Sequence, residues 1–106
     1  WLPYWMWRMD DHYSRSMHHP AGVPKKPSDY VRSDSCFVSC EPDEEGLDHT
    51  AEVLGADRIV FASDYPHGDC DFPHSVVKFR KRTDISDEIK EKILWKNPAR
   101  LYGLSV

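Results

Sequence analysis

Arg58-Ile59-Val60-Phe61-Ala62-Ser63-Asp64-Tyr65-Pro66-His67 is an apolar run that ends abruptly in an acid, a turn residue and a histidine. Ile59-Val60-Phe61-Ala62 shows no polar alternation and contains two β-branched residues, which fits a strand covered on both faces, the usual state in a parallel sheet. Such sheets place their chemistry at the carboxyl ends of the strands, where loops vary while the strands hold position. Asp64 stands at that end. Pro66 disfavours the helical conformation at Tyr65 and offers no N–H to a ladder, so the strand stops there and His67 is carried into a loop. Taken alone, Asp64 could equally cap a turn or the next helix.

Working outward, Ser35 to Glu41 reads as a second strand, with Cys36, Phe37, Val38 and Cys40 supplying its apolar content. Glu41, Pro42, Asp43, Glu44 and Glu45 follow, and these acids are expected to open a helix running to about Leu54, because carboxylates favour the positive end of the helix dipole. Gly55 stands where a C′ glycine belongs. Strand, helix and central strand then make a βαβ unit of roughly 30 residues, implying parallel strands and a right-handed crossover. On the far side, a helix is expected from about Pro73 to Arg82. Ser86 is placed to cap another, with Asp87 and Glu88 in its first turn and Ile89, Ile93 and Leu94 facing inward. Asn97-Pro98 is expected to stop that helix, and Pro98 to start a short turn closed by Gly103.

The amino-terminal side is aromatic. Positions 2, 5, 6, 9, 13 and 17 make a helical stripe, with Pro3 acceptable only in a first turn, so a helix begins near Leu2. A stripe so rich in tryptophan suits either a core or an interface with another segment or subunit. Trp1 stands where an initiator Met is usual and the chain opens inside this segment without a cap, so a fragment or trimmed product is expected. Residues 18–27, with His18 and His19 adjacent to three prolines and a glycine, read as a loop with exposed histidines. A short helix over 27–32 follows.

The composition narrows the function classes. The 106 residues suit one small domain or part of a larger one. The net charge of −4 and a single basic tract, Lys78-Phe79-Arg80-Lys81-Arg82, suit a solvated helix face and argue against nucleic acid. No apolar run reaches the roughly 20 residues that span a bilayer and no signal peptide is visible, so a cytoplasmic protein with no membrane partner is expected. Three cysteines form no secreted-type framework. On one strand, Cys36 and Cys40 would lie roughly 13 Å apart at about 3.3 Å per residue. A disulfide needs about 7 Å or less between Cα atoms, so reduced thiols are expected.

Ser63-Asp64-Tyr65-Pro66-His67 after an apolar strand, followed by Ile93-Leu94 and Asn97-Pro98-Ala99-Arg100-Leu101-Tyr102-Gly103-Leu104, resembles the carboxyl-terminal end of the amidohydrolase-related family. The branch it is most similar to contains the aminocarboxymuconate-semialdehyde decarboxylase-like and resorcylate decarboxylase-like enzymes. The resemblance spans nearly the whole chain, from Trp1-Leu2-Pro3-Tyr4-Trp5 onward. It implies an α/β fold, the carboxyl-terminal portion of a (β/α)8 barrel, with two parallel strands and four to five helices in residues 1–106 as a single unit. It also implies a divalent metal, commonly zinc, at the carboxyl face of the strands.

On that resemblance Asp64 is the metal ligand and the catalytic residue, orienting or receiving the proton of a bound water whose pKa the metal lowers toward about 7. His67 lines the substrate pocket. Arg8 aligns with an arginine that reaches a neighbouring subunit's site and pairs with a substrate carboxylate, a role that suits a guanidinium fork. The family's His-x-His pair and its later histidines have no counterpart here. A metal held by Asp64 alone would bind weakly, so this stretch is expected to be inactive by itself, to take a small-molecule substrate only within a complete enzyme, and to self-associate or join the missing barrel segments. Hydrolysis and nonoxidative decarboxylation both remain open. A non-catalytic α/β association module is the competing reading, because two strands cannot close a barrel and leave both edges open. A local metal cluster of His18, His19, His67, Cys70 and His74 is a weaker third, since its spacing matches no compact zinc motif.

Overall fold

The computed structural model describes residues 1–17, 19 and 22–105, and His18 lies outside the described residues. Its centre is a pair of short parallel strands, β1 (Val38–Cys40) and β2 (Ile59–Phe61), in the register Val38↔Ile59, Ser39↔Val60 and Cys40↔Phe61. Ala62 extends the ladder by donating its N–H to Cys40 O at 2.9 Å. The expected βαβ unit is present. Its helix, α3 (Leu47–Thr50), runs on through a wide π-helical turn (Ala51–Gly55) and a 3-10 turn (Ala56–Arg58) into β2. Gly55 closes the helix at φ 100°, ψ 125°, a backbone state that side chains with a Cβ rarely adopt.

Three expectations are corrected around this unit. The first strand begins at Val38 rather than Ser35, because Phe37 is held outside the ladder between the guanidinium groups of Arg58 and Arg100, at 6.0 and 5.2 Å from its ring centroid. The acids 41–45 do not open α3, which starts after Gly46 in the left-handed region (φ 75°). Their backbone is engaged elsewhere: Pro42 O and Glu44 O accept from Arg82 at 3.2 and 2.8 Å. The basic tract is therefore not simply a solvated face. It sits at the end of α4 (Ser75–Arg80), and two of its cations grip neighbouring loops.

Helix α5 (Asp87–Glu91) is capped as expected, with Ile89 N–H donating to Ser86 Oγ at 3.3 Å. Asn97-Pro98 does not stop it. A π-helical segment (Lys92–Lys96) joins α5 to α6 (Asn97–Tyr102), and Asn97 N–H donates five residues back to Lys92 O. Widening the turn shifts the ladder, so the donor Pro98 lacks does not break the rod. Gly103, at φ 65°, ends it. Asn97 itself is 3% exposed and spans the junction, its amide donating to Ala56 O and Ile59 O, both at 2.7 Å. Ile93, Phe79, Ile59, Leu47, Leu54 and Cys40 fill the core between the rod, α3 and the strands.

Helix α1 (Leu2–Arg15) packs with α2 (Pro27–Val31). Asp10 ties them, accepting Ser28 N–H at 2.9 Å and Ser28 Oγ–H at 2.6 Å, which caps the start of α2. Burial opposes ionisation of Asp10, yet the Ser28 bonds, with Lys26 and Arg32, hold it below the usual carboxylate range. Of the expected stripe only Leu2 and Met6 are buried. Trp1, Trp5 and Trp7 are 82%, 52% and 59% exposed, so the tryptophans lie outside the core. The Cα radius of gyration, 15.9 Å, exceeds the roughly 13 Å of a compact chain this long, consistent with these open faces. No described helix is long and apolar enough to cross a membrane.

Candidate functional site

Asp64 leaves the end of β2 with φ 55°, the left-handed region that aspartate tolerates better than most side chains. Its carbonyl accepts His67 N–H at 2.9 Å, forming a tight turn. The same turn brings His67 Nδ1 to 2.7 Å from Asp64 Oδ2. The Asp64 contact holds the imidazole's pKa above its usual 6.5, through its hydrogen bond first and its charge second, so the protonated ring is favoured. Both side chains remain open to solvent, at 43% and 70%. The loop that follows is braced by Tyr65 against Phe72, ring centroids 4.5 Å apart.

Asp69 completes the group. One donor atom each from Asp64, His67 and Asp69 lie within 4.8 Å of one another, and this is the only group of three or more such side chains among the described residues. The alternative cluster is not assembled: Cys70 and His74 do not join it, His19 stacks on Tyr13 at 3.9 Å, and His18 falls outside the described residues. Two carboxylates and an imidazole are donors that a divalent cation accepts, and three protein ligands match an open catalytic zinc arrangement. The Asp64 to His67 hydrogen bond is also complete without any ion.

Asp64 and Asp69 line a cleft of about 260 Å³ with Glu41, Asp43, Asp71 and Lys78 among its walls. The loops after both strands therefore meet at one edge, as carboxyl-end loops of parallel strands should. Arg8 is elsewhere. It lines a separate groove of about 750 Å³ along α1 with Trp5, His12 and Tyr13, and the two hollows share no residue. The larger hollow is a shallow trough beside a projecting helix, whereas the smaller one gathers the titratable side chains. Chemistry favours the smaller. Arg8 itself lies 3.6 Å from Asp11.

Sequence reasoning reached Asp64 and His67 but missed Asp69 and Lys78. Gly68 between His67 and Asp69 was the available signal for a chain reversal that returns an acid to the site. Lys78 lacked even that, since its partners are 35 and 7 residues away.

Known proteins resemble the chain over nearly its whole length. A family model described as amidohydrolase matches residues 1–104. The chain is 31% identical to a gamma-resorcylate decarboxylase from Polaromonas sp. (strain JS666 / ATCC BAA-500), over 98% of this chain and 32% of that protein. A crystal structure of a 2,6-dihydroxybenzoate decarboxylase complexed with 2,6-dihydroxybenzoate superposes with a TM-score of 0.73 at 28% identity, covering 97% of this chain and 32% of the other. The chain thus spans about a third of the length of the relatives it matches.

Proposed function

The chain belongs to the amidohydrolase family, and from that we propose that it forms the last two strands and the adjoining helices of a barrel-type decarboxylase acting on a small carboxylated ring. The observation that carries the reading is Asp64, presented at the end of β2 beside His67 and Asp69. Hydrolysis within the same family is the alternative reaction.

Asp64, His67 and Asp69 would hold a divalent cation, zinc being the one the family resemblance implies, and such a cation supplies Lewis-acid polarisation of a substrate oxygen when bound. Asp64 supplies the proton chemistry. A ring that loses CO2 must gain a proton at the vacated carbon, and the Asp64–His67 pair, in which the protonated imidazole is favoured, would hold that proton. His67 orients the Asp64 carboxyl through its 2.7 Å contact. Arg8, whose fork suits a carboxylate, lies in a different hollow, so its part in substrate binding requires a second copy or the remainder of a barrel. By itself the stretch would be inactive.

The test joins residues 1–106 to the upstream two-thirds of a resorcylate decarboxylase and measures CO2 release from 2,6-dihydroxybenzoate, metal content and light-scattering mass. Turnover in the joined chain that vanishes in Asp64→Ala, with none from residues 1–106 alone, is the expected result. Turnover indifferent to Asp64→Ala would remove the assignment. The second reading, an association module without catalysis, draws on the exposed tryptophans of α1 and the two-stranded sheet. It predicts assembly without metal or turnover in either form.

A further inference from the structure

Lys78 in helix α4 and Arg82, two residues beyond its end, both reach across to the loops after the strands. Lys78 Nζ donates to Asp43 Oδ2 at 2.7 Å and to Asp71 Oδ2 at 2.5 Å. One ammonium thus bridges the loop after β1 and the loop after β2. Arg82, its side chain only 11% exposed, holds Pro42 O and Glu44 O while Asp84 receives its Nε and Nη2 at 3.0 and 2.6 Å. The loop after β1 is therefore anchored by its backbone on both sides of Asp43 and by a charge at Asp43 itself. Five carboxylates, Glu41, Asp43, Asp64, Asp69 and Asp71, line the cleft, and Lys78 is its single cationic wall residue among the described residues.

We propose that Lys78 is the positioning residue of this cleft, setting the spacing of the two acid-bearing loops by bridging Asp43 and Asp71, with Arg82 fixing the first loop as its target. The inference rests on ion-pair geometry and stands whether or not the cleft holds a metal. Like charges on the two loops would otherwise push them apart. Lys78 is also committed to these partners, so a substrate carboxylate would find its counter-charge elsewhere. Because the bridge is partly exposed, salt screens it, whereas packing would be insensitive.

Cys70 lines the same cleft and is half-buried, which makes it a probe of loop spacing, and buried Cys40 serves as the internal control. The experiment follows alkylation of each cysteine by iodoacetamide, read by peptide mass spectrometry. Lys78→Met is expected to speed Cys70 labelling about tenfold through local opening, with Cys40 unchanged. Lys78→Arg should restore the original rate. Combining Lys78→Met with Asp43→Asn and Asp71→Asn should return it to within about twofold, because the repulsion is gone. In the unaltered protein, about 0.5 M salt should accelerate Cys70, and in Lys78→Met it should not. A parallel rise at Cys40 would make Lys78 a general stabiliser and overturn the proposal. An unchanged Cys70 rate, or no relief on removing the two acids, would overturn it equally, and the salt series needs no variant to fold.

Discussion

The two ends of the strand pair are held by different physics. At the amino ends, Asn97 is buried against the carbonyls of Ala56 and Ile59, and Phe37 lies between Arg58 and Arg100. Arg58 further donates to Arg32 O at 3.1 Å and pairs with Asp34 at 2.7 Å, and Arg100 donates to Asp57 O. At the carboxyl ends, solvent-facing carboxylates are held by the partly exposed Lys78 and by a histidine. The buried Asn97 amide, satisfied by its two carbonyls, stiffens one end, because breaking it leaves polar groups without water, while Arg58 Nη1 at the same end is buried without a partner. Exposed ion pairs leave the other end adjustable, since each contributes little to folding. The chemistry-bearing residues gather at the adjustable end.

The largest effect expected from this contrast is at Asn97. Asn97→Ala removes the amide donor from both Ile59 O and Ala56 O, the latter keeping the Ile59 N–H, and should lower stability by about 2 kcal/mol, seen as a reduced urea midpoint with an unchanged slope. A loss no larger than that of a surface variant would break the contrast. Phe37→Leu removes two cation contacts while keeping most of the apolar bulk, and a loss of about 1 kcal/mol is expected by the same measurement.

At the other end, Asp64→Asn should leave the urea midpoint almost unmoved, as loss of an exposed pair does. Its signature is instead in the His67 ring, whose NMR titration midpoint should lie above 6.5 in the unaltered protein and drop toward 6.5 in the variant. The sign follows from linkage: a raised folded-state pKa means the pair's contribution is fully present below about 6.5, and it is lost as pH rises through the folded value. A midpoint unmoved by Asp64→Asn would mean the ring is set by other groups. The smallest effect concerns no energy at all. Burial, with Glu44 adding to it, pushes the Cys40 thiol up to about 12, so at about pH 8 it should resist alkylation while Cys70 reacts. Equal rates would show that the core beneath the carboxyl-end loops opens as readily as the loops themselves.

Local patterns made much of the fold legible. The run Ile59 to Ala62 announced a buried strand, Ser86 with Asp87 and Glu88 announced a helix start, and Gly55 and Gly103 announced helix ends, because each reports a preference that acts within a few residues. Where these signals misled, a distant partner had intervened. The acids 41–45 look like a helix opening until Arg82 takes their carbonyls, and Cys36-Phe37 look like strand until two arginines from later in the chain enclose the ring. Pro98 looked like a stop because its missing N–H is a local fact, whereas the π-helical turn that carries the rod past it packs against β2.

The site divides along the same line. Ser63-Asp64-Tyr65-Pro66-His67 placed a carboxylate and an imidazole together because a turn of four residues leaves them little choice. Asp69 joins them, and Arg8 stands apart from them, only through the course of the folded chain. The bridge from Lys78 to Asp43 spans 35 positions, and no periodicity encodes it. Short-range steric and hydrogen-bonding preferences are written in neighbouring residues, so the strands, turns and the acid at β2 were readable in order along the chain. Ion pairs across loops depend on where the backbone finally brings two charges, which the tertiary structure alone decides.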